Sequence, residues 1–392
     1  MHQLILRRLA HLRAHLRPPL LLRGMASAAS GPLVPPLYVA VVSPEDSPCL
    51  ATLPGDVDAT FLVHNTMAAF EAHPNFRDVS AIVYVAAGGN VALVPRIFDA
   101  LRPNINWVHS FFAGVDALAP FIASHLQPQQ HASAASATSS AALATSSTSS
   151  VAVPLTNGRG AFSSSLAEHV MASALHFNKK ITRCQQNVRD RKWDKFIMPT
   201  LAGKTMGFVG FGHIGQTSAR VAKAFGMNIV CLRRNKHKGR GGRGGTDGGG
   251  LADVVYGPED KFKLLAESDF VVSVLPGTPE TLDFFGAAEF DAMKADATFI
   301  SVGRGLVVDE DALAQALNAG SIGAAALDVF KTEPLPETSP LWGCGERLLM
   351  TAHNADYTED YFALGWDVWQ QNWVSLREEG VPATPVDIAA GY

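Results

Sequence analysis

The chain has 392 residues, of which 47% are hydrophobic and 17% charged, with a formal net charge of −4. Such a length allows two or three domains with large cores, and the charge balance excludes a globally basic nucleic-acid or polybasic membrane binder, leaving a small molecule as the favoured partner. The four cysteines, Cys49, Cys184, Cys231 and Cys344, lie far apart and form no CxxC pair, so they suggest neither a metal site nor a disulfide framework, and a reducing compartment is expected.

Before the first acidic residue, Glu45, the stretch "MHQLILRRLAHLRAHLRPPLLLRGMASAAS" carries Arg7, Arg8, Arg13, Arg17 and Arg23 among leucines. That composition predicts an organelle transit peptide or a disordered extension over residues 1–30. The expected location is an organellar matrix or stroma, mitochondrial rather than plastid, or the cytosol if this stretch does not target the chain. Its apolar run is too short for a membrane span, and no other segment approaches that length.

From Leu37 the pattern changes. "LYVAVV", "AIVYVAA" and "NWVHSFF" are short apolar runs rich in Val, Ile and aromatic residues, separated by helix-compatible segments such as "VALVPRIFDAL". This alternation predicts βα units on a parallel sheet. Residues 131–150, "HASAASATSSAALATSSTSS", offer little to bury and read as a surface insertion. "SSSLAEHVMASALHF" predicts a long helix with Ser163 to Ser165 as candidate caps. Residues 236–250, "KHKGRGGRGGTDGGG", form a basic, glycine-rich loop. Beyond it, "FVVSVLP", "ATFISVG" and "IGAAALDVF" are continuous apolar runs, as expected for strands covered by helices on both faces.

The strongest local signal is "MGFVGFGHIGQTSARVAKAFGMNIVCLRRN". An apolar strand runs into Gly210, Gly212 and Gly215 in GxGxxG spacing, then into a helix and a second strand, the pattern of a dinucleotide-binding βαβ unit. The glycines permit a tight turn and close approach of a pyrophosphate to the helix N-terminal amides. At the tip of the second strand, where an Asp or Glu usually bonds the ribose 2′-hydroxyl of NAD, stand Arg233 and Arg234. A guanidinium pairs with the 2′-phosphate that a carboxylate would repel, so NADP(H) is the expected cofactor, with NAD(H) possible. Further on, Arg304, Glu333 and His353 each follow an apolar strand, which places all three at the carboxyl edge of the sheet, where ligands bind in open α/β folds.

With "WVHSFFAGVD", "TNGRGAFSSSLAEH", "LAGKTMGFVGFGHIG", "SDFVVSVLPGTPET", "ISVGRGLVVDEDAL", "AALDVFKTEPLP" and "PVDIAAGY" in this order, the chain from Leu37 to Tyr392 resembles the D-isomer-specific 2-hydroxyacid dehydrogenases, especially their glyoxylate/hydroxypyruvate reductase branch. The resemblance implies an α/β fold of two Rossmann-like, doubly wound parallel-sheet domains separated by a cleft. A discontinuous substrate-binding domain would comprise residues 37–153 plus 355–392, and an NAD(P)-binding domain residues 154–352. It also implies a homodimer acting on a small 2-keto or 2-hydroxy acid, with no nucleic-acid or membrane partner.

In that pattern Arg304 binds the substrate carboxylate and polarises the 2-keto oxygen, His353 is the acid that protonates it, and Glu333 holds His353 in its charged form. The amides of Gly88 and Gly89 receive the carboxylate. His213 and Ile214 contact the pyrophosphate with the glycine loop; Pro276, Thr278 and Val302 line the cofactor walls; Asp328 bonds the nicotinamide amide. The sequence departs from the family where Ser301 replaces a common Asn, Lys331 a common acid, and "AHNADYT" the commoner "PHIAG". No catalytic group is removed, but the substrate is left open: D-lactate dehydrogenase and phosphoglycerate dehydrogenase-like activities are alternatives, and a cofactor-sensing interaction protein on the same fold is a reading of a different class.

Overall fold

A computed structural model describes residues 37–127, 153–234 and 250–392. The expected targeting stretch (residues 1–30), the insertion 131–150 and all but the last residue of 236–250 lie outside the described residues.

Two parallel sheets form the frame, as the expected fold class requires. The first contains β1 (Leu37–Val42), β2 (Ala59–His64), β3 (Val79–Tyr84), β4 (Trp107–Ser110) and β5 (Leu155–Asn157), in the order β2-β1-β3-β4-β5. The second contains β6 (Thr205–Val209), β7 (Asn228–Leu232), β8 (Val254–Tyr256), β9 (Phe270–Ser273), β10 (Thr298–Ser301), β11 (Ala324–Leu327) and β12 (Leu348–Met350), in the order β12-β11-β10-β9-β6-β7-β8. The strands pair in parallel throughout. Since consecutive parallel strands need crossovers, helices cover the faces, and β9, β10 and β11 are buried at every position. In the second sheet the chain winds outward from β6 to β8 and then returns to β9 on the other flank of β6. A crevice therefore opens at the carboxyl ends of β6 and β9.

Five helices position the site: α1 (Leu93–Leu101), α2 (Ser163–Asn178), α3 (His213–Ala224), α4 (Glu310–Ala319) and α5 (Tyr361–Glu379). The serines expected to cap α2 lie within its first turn. Phe162 is the N-cap, without a side-chain cap bond, and the Ser165 hydroxyl donates instead to the Ala355 carbonyl, tying α2 to the segment that follows β12. Asp309 does cap α4, accepting from the Ala312 amide.

The carboxy-terminal helix α5 returns to the first sheet. Trp366, Trp369 and Trp373 bury their rings against Leu37, Val39, Val41 and Trp107, with Trp369 stacked on Trp107 at a centroid separation of 5.4 Å and the Trp366 indole donating to the Cys49 carbonyl at 2.8 Å. Truncating Trp369 removes a fully buried aromatic ring, so Trp369→Ala is expected to cost about 3–5 kcal/mol, read as a lower urea midpoint with an unchanged slope. A loss under 1 kcal/mol would mean that α5 does not anchor on this face.

Candidate active site

The glycine loop sits at the crevice. Gly210 directly follows β6 with φ of 90°, a left-handed conformation that favours glycine. At Gly215 a Cβ would lie 2.9 Å from the Gly210 carbonyl oxygen, so helix and turn pack too closely for a side chain, whereas a Cβ at Gly212 would meet nothing within 4 Å. Gly212 is the N-cap of α3, and His213 and Ile214 begin its first turn, where backbone amides have no intrahelical acceptor. Turn, open approach and close packing are thus each met by one glycine, and the residues fit a pyrophosphate. Burial, followed by the nearby charge of Arg159, lowers the His213 pKa, so the ring is neutral at neutral pH. Arg159 is a cation beside the loop that the sequence did not single out.

Arg233 and Arg234 follow β7, with the Arg233 amide donating to the Tyr256 carbonyl at 3.0 Å. Its guanidinium lies 5.9 Å from the Phe211 ring, and that of Arg234 lies 5.5 Å from the Tyr392 ring. Arg234 is exposed. Pro276 and Thr278 belong to a loop braced by Thr281, whose hydroxyl donates to the Pro276 carbonyl at 2.7 Å and receives the Thr278 amide at 2.9 Å. Val302 is buried directly after β10, its amide bonded to the Ser273 carbonyl.

Arg304, Glu333 and His353 line one recess of about 290 Å³. The His353 Nδ1–H donates to Glu333 Oε2 at 2.7 Å, and Glu333 Oε1 accepts the Phe330 amide at 2.9 Å. With both oxygens held, the carboxylate fixes the ring and leaves Nε2 as the other ring nitrogen. His353 has φ of 51°, unusual for a residue with a side chain, and its amide bonds the Asp328 carbonyl at 2.8 Å.

The Arg304 Nε–H donates to Asp116 Oδ2 at 3.1 Å and Nη1 donates to the Gly303 carbonyl at 3.0 Å. Asp116 comes from the loop after β4, so the pair bridges the two sheets. Space for the guanidinium is made by Gly114, where a Cβ would lie 1.8 Å from Nη2. Neither Asp116 nor Gly114 was singled out in the sequence, although both fall within the quoted "AGVD".

One expected role needs correction. The amides of Gly88 and Gly89 already bond the carbonyls of Ala86 and Val85, at 2.8 and 3.0 Å, which leaves neither free for a carboxylate. Gly89 is a glycine because a Cβ would lie 2.3 Å from the Val85 oxygen and 2.5 Å from that of Val42; Ala86 and Ala87 are the loop residues that line the cleft beside His353. Asp328, buried beneath the site, accepts the Thr351 hydroxyl at 2.6 Å and the amides of Asn354 and Ala355 at 3.1 and 3.2 Å. Its carboxylate holds the turn that carries His353.

Residues 171–355 match the family model described as D-isomer specific 2-hydroxyacid dehydrogenase, NAD binding domain. This part of the chain is thus similar to the NAD-binding domain of the D-isomer-specific 2-hydroxyacid dehydrogenases. Glyoxylate/hydroxypyruvate reductase B of Klebsiella pneumoniae (strain 342) is 40% identical over 187 residues, covering 46% of this chain and 54% of the relative. The match thus spans about half the length of the curated relatives. Among solved structures, a D-isomer specific 2-hydroxyacid dehydrogenase from Xanthobacter autotrophicus Py2, in complex with NADPH and MES, superposes with a TM-score of 0.69 at 26% identity, covering 91% of this chain and 99% of that one. An NADPH-dependent glyoxylate/hydroxypyruvate reductase from Sinorhizobium meliloti, in complex with NADP and sulfate, gives a TM-score of 0.64 at 25% identity, covering 91% of this chain and 100% of that one.

These comparisons overturn the expected organellar location. The curated relatives come from Klebsiella, Enterobacter and Escherichia, bacteria without mitochondria or plastids. Among the described residues no helix is long and apolar enough to cross a membrane.

Proposed function

We propose that the chain is an NADPH-preferring reductase that converts a small 2-keto acid of the glyoxylate/hydroxypyruvate type to its D-2-hydroxy acid, with NADH as a weaker cofactor. The observation that carries this reading is the His353–Glu333 bond of 2.7 Å in the recess shared with Arg304. Binding alone needs no proton donor, and the names of the bacterial relatives agree with a reductase.

The bound nicotinamide cofactor supplies the hydride; the chain supplies position, charge and a proton. The glycine loop, His213 and Ile214 hold the pyrophosphate, with Arg233 and Arg234 at the 2′-phosphate. Arg304 binds the substrate carboxylate and draws charge onto the 2-keto oxygen, as a fixed cation beside a developing oxyanion does. Glu333 accepts Nδ1–H, so the proton given to that oxygen leaves from Nε2 of His353, and it returns there in the reverse direction. One keto acid, one hydride and one proton give one hydroxy acid.

The reading also includes a homodimer. Val188, Trp193 and Ile197 are 78%, 100% and 86% exposed in the segment leading to β6, apolar side chains that a second copy would cover.

The cofactor assignment is tested by kcat/KM with NADPH and NADH for glyoxylate and hydroxypyruvate, beside the Arg233→Asp/Arg234→Ala variant. NADPH is expected to lead by about tenfold or more, on the order of 1.4 kcal/mol, with the variant reversing the order. Equal use of both cofactors by the unaltered chain would remove the arginines from this role.

A further inference from the structure

Next to the catalytic recess, and sharing His353 with it, lies a larger cleft of about 740 Å³ between the segment after β1 and the start of α5. The two ends of this space differ in charge. Arg304 supplies the fixed cation and His353 the ring nitrogen at the reacting end. Along the larger cleft the ionisable side chains besides His353 and the tyrosines are Asp46 and Asp356, and the walls are aromatic, including Phe112, Tyr357 and Tyr361.

Asp356 stands three residues after His353, within the stretch "AHNADYT" that departs from the family pattern. It is half-buried. Burial raises its carboxyl pKa, and the charge of His353 partly offsets that effect; burial and the charge of Asp356 in turn raise the Tyr361 phenol. Tyr361 is itself packed, with its ring stacked on those of Phe162 and Phe112 at 4.5 and 5.4 Å, so the wall beside Asp356 is aromatic. A poorly solvated carboxylate gains most from a hydrogen-bond donor brought beside it, and it repels a second carboxylate.

We infer that Asp356 sets the substrate class: 2-keto monocarboxylic acids whose side chain carries a hydrogen-bond donor, such as a hydroxyl, with 2-keto dicarboxylic acids excluded. This inference rests on the reductase reading above. Arg304 takes the carboxylate next to the keto group, which turns the substituent at the far carbon toward the acidic cleft. There a hydroxyl donates to Asp356, a methyl leaves it unbonded, and a carboxylate meets like charge.

The test compares hydroxypyruvate, pyruvate and oxaloacetate as substrates with NADPH, for the unaltered chain, Asp356→Asn and Asp356→Ala. The readout is the ratio of kcat/KM values, so the intrinsic reactivity of each acid cancels between proteins. The hydroxypyruvate-to-pyruvate ratio is expected to fall by about tenfold in Asp356→Ala, the worth of a hydrogen bond to a charged group, while the oxaloacetate-to-pyruvate ratio rises in both variants. An Asp356 acting only through His353 would slow all three acids alike and leave the ratios unchanged, which would overturn the inference. So would equal use of oxaloacetate and hydroxypyruvate by the unaltered chain, a result that needs no variant to fold. Absence of turnover with these acids and with glyoxylate would overturn the reductase reading and this inference with it; turnover with unchanged ratios overturns this inference alone.

Discussion

His353→Gln is expected to lower kcat for keto-acid reduction by about 10²- to 10⁴-fold, the usual contribution of a positioned general acid. Glutamine can still donate an amide hydrogen toward Glu333, whose Oε2 now receives Nδ1–H at 2.7 Å, but no amide carries a transferable proton at neutral pH. The His353 side chain is 43% exposed, so the substitution should change stability little, and NADPH affinity should stay near that of the unaltered chain. Steady-state kinetics beside a melting curve and a cofactor titration separate these quantities. Retention of more than a tenth of kcat would mean that the proton comes from another donor, and would demote the His353–Glu333 pair to a structural contact.

Arg304→Lys should be nearly as damaging, with a loss of about 10²- to 10³-fold in kcat/KM, the cost of removing one preorganised donor from a developing oxyanion. Lysine keeps the charge but not the planar fork. In the structure that fork divides its work, with Nε on Asp116 and Nη1 on the Gly303 carbonyl, an arrangement that a single ammonium cannot reproduce. Asp116 is 47% exposed, so losing its partner should cost at most about 1 kcal/mol of stability, as for other exposed ion pairs. The variant is expected to fold, bind NADPH and raise KM for the keto acid. Unchanged kcat/KM would show that Arg304 serves only to join the two sheets through Asp116.

The fold class was legible because the apolar runs repeat as strand and helix, and because the three glycines after β6 answer to three local demands that spacing already encodes. Arg304 and His353 were legible for a related reason: each trails an apolar strand, and parallel topology brings all such ends to one edge. The contacts that the sequence concealed are long-range. Asp116 lies 188 residues from Arg304, and nothing in its neighbourhood reveals that the loop after β4 will face the end of β10. The Asp328 carboxylate turns under the chain and holds residues 351–355, a contact decided by how β11 and β12 end beside each other. Gly88 and Gly89 resembled an anion loop, but two glycines also mark a turn pressed against neighbouring strands, and a Cβ at Gly89 would collide with carbonyls of both β1 and the loop after β3. Composition alone suggests the serines at the start of α2 as caps, while the chain turns into the helix one residue earlier, at Phe162. The location reading rested on the arginine content of residues 1–30 alone.

The central claim is tested most directly by incubating the purified chain with NADPH and hydroxypyruvate, and measuring cofactor oxidation together with the amount and configuration of the product. The predicted result is one D-glycerate formed for each NADPH oxidised. A chain that binds NADPH tightly yet forms no hydroxy acid from hydroxypyruvate or glyoxylate would contradict the reductase assignment, and would leave a cofactor-binding protein that carries Arg304, Glu333 and His353 for another purpose.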